Sequence, residues 1–449
     1  MIITINILSI LFTAFTFILI VWFLFTHKPN VFIGMHLISF WLFIIFFNTV
    51  SMFFNEFQYE IVTFIYTCIL LSIYILVFIK ITVHYRKKII SNEQLLSNAT
   101  RIDNRLLYVL IFIYVIFKIY ILDRYGLEGI YAIAFQKETN IPYSLLSINS
   151  IVTYPALGAF VVLLIKIGKN IKFILHPLPL ISGILYFIFF ILFNEISGAR
   201  RIFIFLLIFL FLIWIHERKY RPTFKILFVV ILLLFLGNAF SDYYQKIRGN
   251  MGNRYINSLM LSGGENIFEG IYLFITESSP EYYSTAENLR VRYSPFWVIY
   301  QINYAQMTNF NFTYGSIIAQ SIENVIPSFL YPSKKVINAD KMLSDEYNLI
   351  VDDLPSGVLS MFQSDLLFIG FVITPIIYIL LFLLYNRIMR MYFNNDFIFI
   401  TIISLLLLTS FHVESLFDSM LVNLRDFLTI LVLTALILRL KEVLNVRRN

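Results

Sequence analysis

The residues best suited to chemistry in this 449-residue chain are a few charged groups set beside long apolar runs. In Asn194-Glu195-Ile196-Ser197-Gly198-Ala199-Arg200-Arg201, two adjacent guanidinium groups occupy a tight turn between apolar segments. A charge so near hydrocarbon is costly unless it is paired or snorkels to the interface. Guanidinium is also the forked partner of phosphate, so Arg200 and Arg201 are candidates for binding a phosphate, with headgroup anchoring as the plain alternative. Further on, Tyr243-Tyr244-Gln245-Lys246-Ile247-Arg248 puts Tyr244 and Arg248 on one helix face at i, i+4. That pairing suits a sugar-stacking ring beside a second phosphate-binding arginine. Of the closely spaced Arg290 and Arg292, Arg290 is taken as a further candidate for binding phosphate. Near the C-terminus His412, Glu414, Asp418 and Arg425 follow one another, and the last three fall on one side of a helix. Glu414 or His412 could act as a general base toward a hydroxyl, with Asp418 and Arg425 in support; a simple ion pair with Arg425 is the alternative. Asp352-Asp353 is an acidic pair that simple solvation accounts for.

These groups need a scaffold, and the composition says which kind. The chain is 59% hydrophobic, 18% aromatic and only 14% charged, with a mean hydropathy of +0.81. A soluble domain carries about a quarter charged residues, so a water-soluble fold is excluded and an all-α polytopic membrane protein is expected. Apolar runs predict eleven spans, within a range of ten to twelve, near 2–25, 31–53, 61–83, 106–122, 145–165, 178–194, 202–216, 226–240, 365–385, 397–411 and 421–438. The first run lacks a basic start and a small-residue cleavage site, so it reads as a retained helix. Lys118 lies four residues from the end of its span and is expected to snorkel. Cys68 is the one cysteine, so no intrachain disulfide forms.

Charge gives the sides. Alternate connections hold 19 of the 34 Lys and Arg residues, including Lys28, Arg86, Lys87, Lys88, Arg101, Arg105, Lys166, Arg387 and Arg390. Positive connections stay inside, which predicts a cytoplasmic C-terminus; the net charge of +7 is then mainly a topology signal and not a sign of nucleic-acid binding. Three regions follow: helices 1–8 over residues 1–240, a large extracytoplasmic region over 241–363, and helices 9–11 with a cytoplasmic tail over 364–449. The large region holds eight basic and twelve acidic residues and is rich in Tyr, Phe, Ile and Leu. It is expected to fold into short helices docked on the membrane domain.

The order of these features resembles the oligosaccharide repeat-unit polymerases, the Wzy-type O-antigen and capsule polymerases, and more broadly the GT-C-type glycosyltransferases. The matching stretches are Ser197-Gly198-Ala199-Arg200-Arg201, Lys246-Ile247-Arg248, Val325-Ile326-Pro327-Ser328-Phe329-Leu330-Tyr331-Pro332-Ser333-Lys334-Lys335, and the Glu414 to Arg425 segment. The resemblance implies a bacterial inner-membrane enzyme that moves a growing glycan from undecaprenyl diphosphate onto a new lipid-linked repeat unit at the outer face. Its implied partners are those lipid-linked oligosaccharides, membrane lipids, a chain-length regulator and a flippase. Many metal-dependent polyprenol-sugar transferases place an acidic pair in the first outer loop, which here reads Asn55-Glu56-Phe57-Gln58-Tyr59-Glu60. No metal and no cofactor are therefore expected. An O-antigen ligase is the nearest alternative, and a lipid-linked oligosaccharide flippase the alternative from another class; the long outer region speaks against a flippase.

Overall fold

The computed structural model describes residues 2–54, 59–134, 143–169, 177–193, 208–209, 212–213, 295–326, 330–331, 333, 337, 339–349, 357–392, 394–411 and 417–446. Among the described residues every regular element is helical. In chain order these are α1 (Ile2–His27), α2 (Val31–Phe40), α3 (Phe47–Phe54), α4 (Ile61–Tyr85), α5 (Asn92–Arg101), α6 (Asn104–Ala134), α7 (Tyr143–Lys169) and α8 (Pro177–Phe193). Then come α9 (Pro295–Asn309), α10 (Ser316–Val325), α11 (Ala339–Tyr347), α12 (Val358–Leu366), α13 (Gly370–Met391), α14 (Asp396–Phe411) and α15 (Phe417–Val446). The chain divides into two compact units, one of Met1–Asn92 with Arg292–Asn449, the other of Glu93–Val291.

Among the described residues, six helices are long and apolar enough to cross a membrane: Ile3–His27, Val31–Met52, Ile61–Lys88, Asn104–Tyr125, Val358–Met391 and Phe417–Ile437. Ile151–Ile167, Pro177–Tyr186 and Asp396–Ser410 are shorter apolar helices. They coincide with the spans expected at 145–165, 178–194 and 397–411. The span expected at 226–240, and nearly all of the one at 202–216, lie outside the described residues. The protein is therefore a polytopic, helical membrane protein.

In the first unit, α1 buries Ile5, Ser9, Thr16, Ile20 and Phe23 and turns Ile7, Leu11, Ile18 and Trp22 outward. The inward positions recur at helical spacing and include hydroxyls because small polar side chains let helices bond across their interface. Ser9 and Thr13 both meet the Thr49 hydroxyl, at 2.7 and 2.6 Å. Between α2 and α3, Trp41–Phe46 is wound as a π-helix, and the Trp41 indole donates to the Thr13 carbonyl at 3.1 Å. His36 is fully buried on α2, its Nε2 2.9 Å from the Tyr74 hydroxyl and its ring against Phe78 and Tyr378.

Three asparagines pin one end of this unit. Asn30 caps α2 by accepting from the Phe32 amide and donates to the Ile90 carbonyl. Asn92 accepts from the Val31 amide and donates to the Pro29 carbonyl, while Asn386 accepts from the Ile90 amide. The Arg390 guanidinium reaches the Lys87 carbonyl at 3.3 Å. The connections holding Lys28, Arg86–Lys88, Arg387 and Arg390 thus gather at one end of the unit.

The second unit packs α6 against α7 and α8. Here the expectation for Lys118 fails: it does not snorkel but is buried, donating to Asn149 across the α6–α7 interface with its ammonium 5.4 Å from the Tyr114 ring centre. An all-round apolar helix carries no signal of which side faces protein, and the lysine lies on the protein side. Lys166 on α7 donates to the Ile102 carbonyl and to Asn104, joining two of the basic connections at one end of this unit.

Candidate functional site

At the end of the first unit opposite the asparagines, α9 to α12 form a helical cap. Its anchor is α12, a nine-residue helix whose Gln363, Ser364 and Asp365 are all buried. The chain then breaks: Leu367 adopts φ 56°, and α13 starts so close to α12 that a Cβ on Gly370 would lie 2.6 Å from backbone atoms of Phe362 and Gln363. Only glycine permits that approach.

Each of the three polar residues reaches a different element. Gln363 donates to the Ile299 carbonyl at 3.0 Å and to Asn303 at 2.8 Å, and Asn303 donates to Thr67 on α4 at 2.9 Å. Thr63, one turn earlier, donates to Glu60, and the Glu60 amide donates to the Tyr300 hydroxyl at 2.7 Å. The Gln363 Oε1 is buried with no hydrogen-bond partner among the described residues. Ser364 meets the hydroxyls of Thr313 and Tyr347 at 2.8 and 3.0 Å. Burial pushes the Tyr347 phenol above its ordinary pKa, the Ser364 bond opposing that rise, so the phenol remains a donor at neutral pH. Asp365 accepts from Thr313 and from the amides of Ile317 and Ile318, the latter at 2.7 Å. It is a helix cap supplied from another helix. The buried carboxylate is neutralised by the free amides and dipole of α10, an arrangement worth about 1–2 kcal/mol.

From this anchor α10 runs to the start of α15. There the Asn324 amide donates to the Ile337 carbonyl at 2.9 Å and lies 3.5 Å from Asp418. The Arg425 guanidinium donates to the Val325 carbonyl at 3.1 Å, satisfying the C-terminus of α10. Its other nitrogens bond Asp426 at 2.8 and 2.9 Å. Asp418 is half-buried and accepts from the Ser419 amide at 2.7 Å.

Of the residues expected to carry chemistry, Asp418 and Arg425 are described, and both border α10. The ion pair of Arg425 is with Asp426, the adjacent residue. Arg200, Arg201, Tyr244, Arg248, Arg290, His412 and Glu414 lie outside the described residues, as do Asp352 and Asp353. What sequence reasoning missed is the Gln363-Ser364-Asp365 anchor. Its signal is a polar triplet interrupting an apolar run, and nothing in the chain's order names its partners. Beyond the cap, a cavity between α13, α14 and α15 is lined by Tyr378, Leu405, Leu408, Thr409, Met420 and Asn423. The wall is mainly apolar with three hydrogen-bonding side chains. No protein-family model, curated protein or solved structure matches the chain.

Proposed function

We propose that the chain polymerises lipid-linked oligosaccharide repeat units at the outer face of a bacterial cytoplasmic membrane. The observation that carries this reading is a convergence: α10, leading into the 325–335 stretch, is bonded through Val325 and Asn324 to the Arg425 and Asp418 region. These two segments, about a hundred residues apart, were singled out independently by the resemblance. Both lie at the end of the first unit away from the basic connections, which the charge rule assigns to the outside.

In the proposed reaction an acceptor sugar hydroxyl attacks the anomeric carbon of the donor glycan. The new glycosidic C–O bond forms as the C–O bond to undecaprenyl diphosphate breaks, and the hydroxyl proton passes to Glu414 or His412. The diphosphate leaves with its charge held by Arg200, Arg201, Arg248 and Arg290. Asp418 and Arg425 hold the cap over the end of α15 and so align the two bulky substrates. No metal is needed, because the diphosphate is already a good leaving group.

The test is purified protein in lipid, supplied with lipid-linked repeat units and no added metal. A ladder of products is expected. Arg200→Ala and Arg248→Ala should abolish it at normal protein abundance, and lysine at either position should restore little, since a point charge lacks the fork. Full-length ladders from both alanine variants would remove the diphosphate assignment. In cells, deletion leaving a single repeat unit attached supports a polymerase, whereas deletion leaving none assigns the chain as a ligase.

A further inference from the structure

The cap carries an exposed aromatic surface that none of the chemistry above uses. In the turn Phe310-Asn311-Phe312-Thr313-Tyr314-Gly315, Phe310 is 81% exposed and Tyr314 78% exposed. Both adopt left-handed backbone, with φ 52° and 51°. For bulky residues that conformation costs free energy and persists only where the surroundings enforce it. Here they do. The Thr313 amide donates to the Ser364 carbonyl at 3.1 Å, its hydroxyl bonds Ser364 and Asp365, and Asn311 donates to the Glu346 carbonyl at 3.2 Å. Phe312 lies against Tyr314, ring centres 3.7 Å apart. The turn is a rigid mount that holds two rings away from the protein.

The helix that follows continues the surface. On α10, Ile317 and Ser321 are fully buried, whereas Ile318, Ile322 and Ile326 follow Tyr314 at steps of four residues, and the last two are 51% and 37% exposed. A helix in water would carry polar groups on that side. Its location says what covers it. Thr313 is tied to Ser364 and Asp365, and within four residues of Asp365 come Phe368 and Ile369, themselves exposed at the foot of the membrane-spanning α13. The apolar surface of the cap is thereby anchored at the edge of the apolar surface of the bundle.

We propose that the 310–315 turn and the outward side of α10 lie in the bilayer interface, with Phe310 and Tyr314 at headgroup depth and the isoleucine stripe against the upper acyl chains. Aromatic rings favour that zone, and a helix with one side on protein and an outward isoleucine stripe bordered by Ser316 and Glu323 fits an interfacial position. Asp345 and Glu346, exposed at the end of α11, mark the side that remains in water. This assignment stands apart from the polymerase reading.

The test uses the full chain in nanodiscs of phosphatidylethanolamine and phosphatidylglycerol, one copy per disc, in a Cys68→Ser background. A nitroxide is placed on Phe310→Cys, on Ile322→Cys and, for comparison, on Asp345→Cys. Oxygen, which concentrates in lipid, should relax the labels at 310 and 322 at least threefold more than a water-soluble nickel chelate does, and the order should reverse at 345. Labels at 310 and 322 as open to the chelate as the label at 345 would overturn the proposal. Protection that appears only when soluble oligosaccharide is added would overturn it in favour of a glycan platform. Ile322 sits in regular helix, so its label reports even if the strained turn does not tolerate cysteine at 310.

Discussion

The two ends of the first unit solve the same problem differently. At one end Asn30, Asn92 and Asn386 bond the main chain of the neighbouring turns. Each amide donates to backbone, and among the described residues no carboxylate takes part. At the other end Gln363, Ser364 and Asp365 bond groups on three separate helices, α9, α11 and α10, and Asp418, Arg425 and Asp426 add charge. The first arrangement is a latch whose polar capacity is spent on holding turns. The second keeps a buried carboxylate, an ion pair and a Gln363 oxygen with no hydrogen-bond partner among the described residues. Both ends hold the unit together; the proposed chemistry lies at the second.

Substitutions can break that distinction. The largest loss is expected from Gly370→Ala, because the added methyl meets backbone at 2.6 Å. Rigid main chain has to shift, at a cost of about 3 kcal/mol, read as a fall in melting temperature and in the folded fraction extracted from membranes. Next comes Asp365→Ala, which leaves the amides of Ile317 and Ile318 and the Thr313 hydroxyl without their acceptor, about 2–3 kcal/mol. Asp365→Asn should recover part of that loss. Asn386→Ala strands the buried Ile90 amide and costs about 1–2 kcal/mol, yet under the proposed function the product formed per folded molecule should stay at the wild-type level. If it falls as far as in the Asp365 variants, the two ends are not functionally distinct. The smallest effect is expected from Arg425→Lys, which keeps the charge but loses the fork linking Val325 to Asp426, about 0.5–1 kcal/mol. Under the proposed function, the length distribution of products should there shift more than the melting temperature.

Much of the scaffold was legible in the sequence, because a hydrocarbon solvent demands long unbroken apolar helices and leaves few other forms. The grouping of Lys28, Arg86–Lys88 and Arg390 at one end was legible for the same reason: charge near a membrane is sorted by side. Contacts were not legible. Helical spacing sets Asp418 and Arg425 on one side of a helix, but among the described residues the Arg425 fork closes on the neighbouring Asp426 while one nitrogen leaves the helix for Val325. Lys118 looked like a snorkelling residue because its distance from the helix end is visible in the sequence, whereas the side of α6 that meets α7 is not. The Gln363-Ser364-Asp365 triplet reads as an ordinary polar step at the edge of a span until α4, α9, α10 and α11 are folded around it.

The break at Leu367 also bears on how the chain enters a membrane during synthesis. Val358–Met391 is one apolar segment of 34 residues, about 51 Å if it were a single helix, far more than the roughly 30 Å of hydrocarbon. The insertion machinery therefore meets a segment with more than one possible crossing frame. Gln363-Ser364-Asp365 makes its first part the poorer candidate, and Gly370 lets that part fold back once the second has crossed. A chain with leucine at all three positions should insert in mixed registers, so the triplet that anchors the cap in the finished protein also chooses, during translation, which residues become membrane.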